Sequence, residues 1–192
     1  MNVRLIHENM SLKHPVATIG IFDGVHTGHH YILDELIKQA AANKGESVVV
    51  TLWPHPRIVL SRNLDDFKLL HTRTEKIREL ERIGIDELIF VPFNKEIASY
   101  SACEFVQNYL VDKLGIEVLL LGYDNRFGRD RKGDPEGLAM CANRNNFRIE
   151  KLKEYKALKG RVSSTLIREA ILKGELDQAE KMLGYYYYLS GT

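Results

Sequence analysis

Val16-Ala17-Thr18-Ile19-Gly20-Ile21-Phe22-Asp23-Gly24-Val25-His26-Thr27-Gly28-His29 runs an apolar stretch straight into a turn spaced by glycines and histidines. Val16 to Phe22 reads as a buried strand, and Ile32, Leu33, Leu36, Ile37, Ala40 and Ala41 then recur at helical spacing, so the turn opens a helix. Gly24 and Gly28 let backbone approach a ligand closely, and the unpaired N–H groups and positive dipole end of the helix favour an anion there. His26 and His29 are three apart and share a face. Two imidazoles beside helix N–H groups can donate to the non-bridging oxygens of a polyphosphate, stabilising charge as a P–O bond breaks. A capped helix with incidental surface histidines has the same bare pattern; the flanking strand and helix favour the phosphate site.

Outward from this unit, the strand-like runs Ser47–Trp53, Glu87–Val91 and Val118–Leu121 alternate with helical segments over Thr74–Ile83 and Ala102–Leu114. That order predicts an α/β fold with a parallel sheet and crossover helices. Ligands of such sheets sit beyond the carboxyl ends of the strands, and His26, His29, His55 and Asp124 all fall there.

With 192 residues, 44% hydrophobic and 28% charged, the chain suits one well-buried domain, and a formal net charge of +1 gives no global signal for nucleic acid or membrane. Anion binding must come from local clusters. The amino-terminal residues lack the apolar core of a signal peptide and no apolar run approaches membrane-spanning length, which predicts a cytoplasmic protein. Cys103 and Cys141 form no Cys-x-x-Cys unit and read as structural thiols. Tyr185 to Tyr188 read as an edge or exit strand, their side chains alternating between faces.

Two further clusters carry chemistry. Arg161-Val162-Ser163-Ser164-Thr165-Leu166-Ile167-Arg168 precedes a helical pattern ending near Gly174, so Ser163 or Ser164 would cap a helix and Arg168 would lie near its start. Arginine there opposes the dipole and calls for a negative partner, which a polyphosphate held by the same amides would supply. Arg126, Arg129, Arg131 and Lys132, interleaved with Phe127, Gly128 and Gly133, suit a loop over an aromatic, phosphorylated substrate, or a solvated basic loop.

The first turn resembles the Gly-x-Phe-Asp-Gly-x-His-x-Gly-His form of the nucleotidyltransferase signature, and residues 162–168 resemble its Ile-Ser-Ser-Thr-x-x-Arg segment with Val162 in first place. Thr51-Leu52-Trp53-Pro54-His55-Pro56 is similar to the Thr-Phe-x-Pro-His-Pro segment of the bacterial FAD synthetases, and Gly122-Tyr123-Asp124-Asn125-Arg126-Phe127-Gly128-Arg129 to their Gly-x-Asp-Phe-x-Phe-Gly segment. With Leu69-Leu70-His71-Thr72 and Val91-Pro92-Phe93-Asn94 between them, the resemblance extends from Ile19 to Leu183. Leu52 and Asn125 stand where the family carries aromatic residues, so contacts to a flavin ring would be rearranged.

The resemblance implies a Rossmann-like doubly wound sheet and transfer of AMP from ATP to FMN, giving FAD and pyrophosphate without a covalent enzyme intermediate. His26, His29 and Arg168 would be catalytic; Gly20, Phe22, Asp23, Gly24, Gly28, Ser163, Ser164 and Thr165 would bind ATP. Trp53, His55, Asp124, Asn125, Arg126, Phe127, Arg129 and Arg131 would bind flavin, with Trp53 and Phe127 flanking the ring unless they are core. Asp23 would fix the turn or bind nucleotide, and Asp124 is an alternative metal or ribose contact. Mg²⁺ would be held mainly by substrate phosphates, since no protein metal cage is legible.

Residues 1–184 would form the adenylyltransferase domain. Residues 185–192 would begin a linker or first strand towards a riboflavin kinase domain whose Pro-Thr-Ala-Asn segment these residues lack, so riboflavin kinase activity is expected only of a longer protein. The rival readings are a nucleotidyltransferase acting on pantetheine phosphate, nicotinate mononucleotide or glycerol phosphate, a class I aminoacyl-tRNA synthetase fragment, which would need a Lys-Met-Ser-Lys-Ser segment not found here, and a nucleotide- or flavin-binding module without catalysis.

Overall fold

Val48, Val49 and Val50 are all fully buried, yet they belong to two different cores. Successive side chains of a strand point to opposite faces, so a strand buried at every position needs cover on both sides. The computed structural model, which describes residues 1–7, 10–61, 63–64, 67–155 and 162–190, meets that requirement with a doubly wound parallel sheet.

The elements run β1 (Asn2–Leu5), β2 (Val16–Gly20), α1 (Thr27–Ala42), β3 (Ser47–Trp53), α2 (Pro56–Leu60), α3 (Arg73–Ile83), β4 (Glu87–Pro92), α4 (Lys95–Ala98), α5 (Ala102–Phe105), β5 (Val118–Leu121), α6 (Pro135–Asn145), β6 (Arg148–Lys151), α7 (Ser164–Leu172) and α8 (Leu176–Leu183). Six parallel strands stand in the order β1-β4-β3-β2-β5-β6. From β2 the chain steps one way to β3 and β4, and then the other way to β5 and β6. The order reverses beside β2, and a crevice opens there at the carboxyl ends of β2 and β5.

On one face Val49, Leu88, Phe90, Val118 and Leu120 pack under α1 and α3 through Leu33, Leu36, Ala40 and Leu80. On the other, Ile19, Val48, Val50, Ile89, Leu119 and Leu121 meet Ala102, Phe105, Leu110, Leu138 and Cys141. A third, smaller cluster of Leu70, Ile167, Ala170, Ala179 and Leu183 holds α7 and α8 to the loop before α3. Among the described residues no helix is long and apolar enough to cross a membrane.

The bounds of β3 and β5 are those the apolar runs predict, and β4 is one residue longer. Four readings need correction. The first core strand stops at Gly20 rather than Phe22, because Phe22 takes a left-handed conformation with φ 50°. The helix expected over Ala102–Leu114 is α-helical only to Phe105 and then widens into a π turn over Val106–Val111. No strand forms over the described residues 185–190, although Tyr185 and Tyr187 pack on the third cluster while Tyr186 is 84% exposed; Gly191 and Thr192 lie outside the described residues. Cys103 and Cys141 are not two thiols but a disulfide joining α5 to α6, with their Cα atoms 5.8 Å apart.

Closing a loop of 38 residues is worth at most about 4 kcal/mol through loss of unfolded-state entropy. Protein denatured without reductant should therefore show no titratable thiol, and reduction should expose both and lower the unfolding midpoint. Two thiols in untreated protein would show the bond to be open.

Candidate active site

The turn leaving β2 is strained. Phe22, Gly24 and Val25 have φ of 50°, 80° and 35°, a region that non-glycine residues, and β-branched ones above all, enter only when neighbours force them. A side chain on Gly24 would meet Leu70 Cδ1 at 2.6 Å, so glycine is needed there for space as well.

Hydrogen bonds from three distant segments impose this shape. The buried Asp23 carboxylate accepts from the backbone N–H groups of Leu70 (3.0 Å) and His71 (3.3 Å) and from the Arg168 guanidinium (2.7 Å). Ser164 Oγ donates to the Asp23 carbonyl at 2.8 Å. Two residues earlier, the Ile21 carbonyl accepts from the buried Lys76 Nζ at 2.6 Å and from Thr51 Oγ1 at 3.2 Å. Arg168 lies in the second turn of α7 and stretches across the Phe67 ring, 5.0 Å from its centroid. The negative partner its position demands is thus supplied within the chain, by Asp23.

α1 starts immediately after the turn. His26 is its N-cap, with Nδ1 accepting from the His29 N–H at 3.3 Å, which places the neutral ring's proton on Nε2 as a donor. Its ring stacks on that of His29 at a centroid distance of 3.7 Å, and the Phe22 ring lies tilted to His29 at 5.1 Å. His29 is therefore half-buried rather than a surface residue, and its Nδ1 is a buried polar atom with no partner. Burial holds His26 down to about 4 and lowers His29 well below the usual histidine range, His26 and Lys76 adding charge repulsion at His29. Both rings are neutral donors at neutral pH.

A cleft of about 910 Å³ lies over this helix start, between the carboxyl ends of β2 and β5. It gathers His26, His29, Arg168, Gly20, Phe22, Asp23, Gly28, Ser163, Ser164 and Thr165, together with His55, Asp124, Asn125 and Arg126. Ser163 caps α7 by accepting from Leu166 N–H at 3.3 Å, so two helix N-termini, of α1 and α7, open into one space. Asn125 Nδ2 donates to the Ile19 carbonyl at 3.0 Å and fastens the β5 loop to the β2 end.

Five expected site residues stay out of the cleft lining: Gly24, Trp53, Phe127, Arg129 and Arg131. Gly24 faces Leu70 behind the turn. Trp53 packs edge-on to Phe90 with Lys76 Nζ 5.2 Å over its ring, and Phe127 packs edge-on to Phe105, so the two do not flank a common space. Arg129 and Arg131 are exposed, and their backbone N–H groups tie the loop to Tyr100 and to Gly128. Arg161, next to the serine motif, lies outside the described residues.

Conversely, Tyr31 and Tyr155, whose rings stack 5.1 Å apart, and Lys153 and Glu154 line the cleft unannounced, as they sit in no motif. Lys76 left a readable trace: it falls on the same helical stripe as Leu80 and Ile83, and a lysine on an apolar face signals a buried partner.

The chain matches the family model described as FAD synthetase over residues 8–166. It is 35% identical over 193 residues to the bifunctional riboflavin kinase/FMN adenylyltransferase of Listeria monocytogenes, covering 94% of this chain and 60% of that protein. The Pseudomonas fluorescens protein of the same name is 37% identical over 191 residues, with 98% of this chain and again 60% of the relative covered. The chain thus spans three fifths of the length of these relatives. A solved structure from Streptococcus pneumoniae, called a macrolide-efflux protein, superposes with a TM-score of 0.85 at 29% identity, covering all of this chain and 66% of that one.

The buried rings make stability depend on pH. His26 and His55 are held at about 4, and His29 and His71 are lowered as well, burial being the main cause for all four. Between about pH 4 and the ordinary 6.5 the unfolded chain binds more protons than the folded one, so stability is full above pH 6.5 and is lost as pH falls through that window. Urea unfolding without nucleotide should show lower stability at pH 5 than at pH 7, with a flatter dependence in His26→Gln. Equal stability at the two pH values would mean that the rings are not buried as neutral groups.

Proposed function

We propose, from the premise that the chain belongs to the FAD synthetase family, that these residues transfer AMP from ATP to FMN. A phosphate oxygen of FMN forms a bond to the α-phosphorus of ATP, the bond from that phosphorus to the bridging oxygen breaks, and pyrophosphate leaves with the electron pair. The observation that carries this reading is the convergence of the His26–His29 pair, the α7 N-terminus and Arg168 on one cleft at the sheet's switch point.

The nucleophile is already an anion, so the chain has little general-base work; orientation and stabilisation of growing pyrophosphate charge dominate. His26 and His29 stabilise that charge as neutral donors on a helix start, where they add no repulsion between themselves. Ser163, Ser164 and Thr165 hold phosphate at the second helix start, and Arg168, fixed by Asp23, faces it from one turn further along. His55, Asp124, Asn125 and Arg126 form the rim on which the flavin nucleotide is positioned.

The cleft lining carries three cations, Arg126, Lys153 and Arg168, and as many carboxylates, Asp23, Asp124 and Glu154. A highly charged nucleotide therefore enters best with its charge already reduced. Mg²⁺ fits that need: no cluster of three His, Cys, Asp or Glu suited to a metal is found among the described residues, so the substrate phosphates would be the ion's main ligands. When bound, the ion lowers the negative charge on the phosphates.

Purified protein given FMN, ATP and Mg²⁺ should form FAD and pyrophosphate, read by chromatography and a pyrophosphate assay. Adenylylation of pantetheine phosphate or nicotinate mononucleotide with no FAD would overturn the substrate assignment. His29→Ala should lower turnover about 100- to 1000-fold, the loss typical of one removed transition-state donor, with ATP affinity changed only modestly. Near wild-type turnover in this variant would reduce the histidine pair to a helix cap.

A further inference from the structure

Tyr185 lies outside the cleft, yet its hydroxyl reaches the strained turn. It donates to the Gly24 carbonyl at 2.6 Å and stands 2.8 Å from His71 Nε2. A carbonyl only accepts, so the hydroxyl proton is committed to Gly24, and towards His71 the oxygen accepts from Nε2–H. The His71 backbone N–H in turn donates to the Asp23 carboxylate at 3.3 Å. The bonds close a ring that begins at Asp23, passes through His71 and Tyr185, and returns to Gly24, the next residue. His71 donates at both of its ends, and from its Nε2–H the bonds run in one sense through the Tyr185 hydroxyl to the Gly24 carbonyl.

The segment carrying Tyr185 is itself anchored. Thr27 Oγ1, between His26 and Gly28, donates to the Met182 carbonyl at 3.0 Å at the end of α8. Beyond it, Tyr188 donates to Glu79 at 2.7 Å, and Ser190 donates through both N–H and Oγ to Glu75 at 2.8 and 2.6 Å, both glutamates being buried on α3. Tyr185 therefore hangs from a fixed strap, while the turn it grips holds Phe22 and Val25 in conformations they would otherwise leave.

We propose that Tyr185 is a positioning residue for the phosphate turn, its hydroxyl clamping the Gly24 carbonyl so that His26 and His29 enter the cleft in register. The reading rests on the adenylyl transfer proposed above for its kinetic consequence, and on geometry alone for the turn. Without the hydroxyl the buried carbonyl loses its donor, the turn relaxes, and the helix start shifts relative to the α7 amides. A charge-stabilising pair displaced by a fraction of an ångström loses more in the transition state than in substrate binding.

Tyr185→Phe keeps the ring beside His71 and removes only the hydroxyl; Tyr188→Phe removes a comparable hydroxyl bond from the same strap without touching the turn. With both variants assayed well below their own unfolding midpoints, Tyr185→Phe should lower kcat about tenfold with KM for ATP and FMN within about twofold, whereas Tyr188→Phe should stay within about twofold of the parent in all constants. Independently of any turnover, amide hydrogen exchange over residues 22–26 of unliganded protein should speed up in Tyr185→Phe and not in Tyr188→Phe. Parent-like kcat and exchange in Tyr185→Phe, or equal losses in both variants, would overturn the proposal. Should the parent form no FAD, the functional reading fails, and the exchange comparison alone decides the clamp.

Discussion

The buried Asp23 carboxylate is the constraint on which the remaining structure depends. It holds two backbone N–H groups from the loop before α3 and the guanidinium of Arg168 from α7, segments that lie 47, 48 and 145 residues away in the chain. A carboxylate with few partners would be costly in this interior; with three donors it becomes the knot that brings the serine helix over the histidine helix. The strain at Phe22 and Val25 persists because bonds at Ile21, Asp23 and Gly24 over-determine the turn from both ends.

Sheet topology explains where this knot lies. β2 is the one strand whose neighbours on its two sides, β3 and β5, are reached by chain running in opposite senses, so the covering helices part above its end. α1 leaves from that point, and α7 arrives late in the chain to face it. The geometry proposed to bind phosphate is therefore a product of two helix starts plus a crevice that strand order opens, and neither helix alone supplies it.

Much of this was legible in the sequence, for definable reasons. β3 and β5 are buried on both faces and read as unbroken apolar runs, while β1 and β6 are largely exposed edge strands that give no such run and went unseen. His26, His29, Ser163, Ser164, Thr165 and Arg168 were visible because glycine and cap residues punctuate them, and they do share the cleft. Trp53 and Phe127 admit both a ligand and a core reading on residue type, and in the fold each has an aromatic neighbour, Phe90 and Phe105. The Cys103–Cys141 pairing, the Asp23–Arg168 pair and the Tyr185–Gly24 bond join residues 38, 145 and 161 apart, and no local pattern encodes such distances.

Burial also sets the kind of chemistry the histidines can offer. In water an imidazole near neutral pH hesitates between charged and neutral forms, and two cations with rings stacked 3.7 Å apart would repel strongly. Desolvation resolves this by keeping both rings neutral, at the cost of leaving the unpartnered Nδ1 of His29 inside the protein. A neutral pair is a set of fixed dipoles whose worth grows as negative charge develops in front of them, whereas fixed cations would bind ground-state phosphate tightly and gain less in the transition state. In the adenylyl transfer proposed above, positive charge stands further out, on Arg126, Lys153 and the Asp23-bound Arg168 around the cleft and on Lys76 beneath the turn. On that proposal, charge would stand where substrate is captured and oriented neutral donors where the bond breaks.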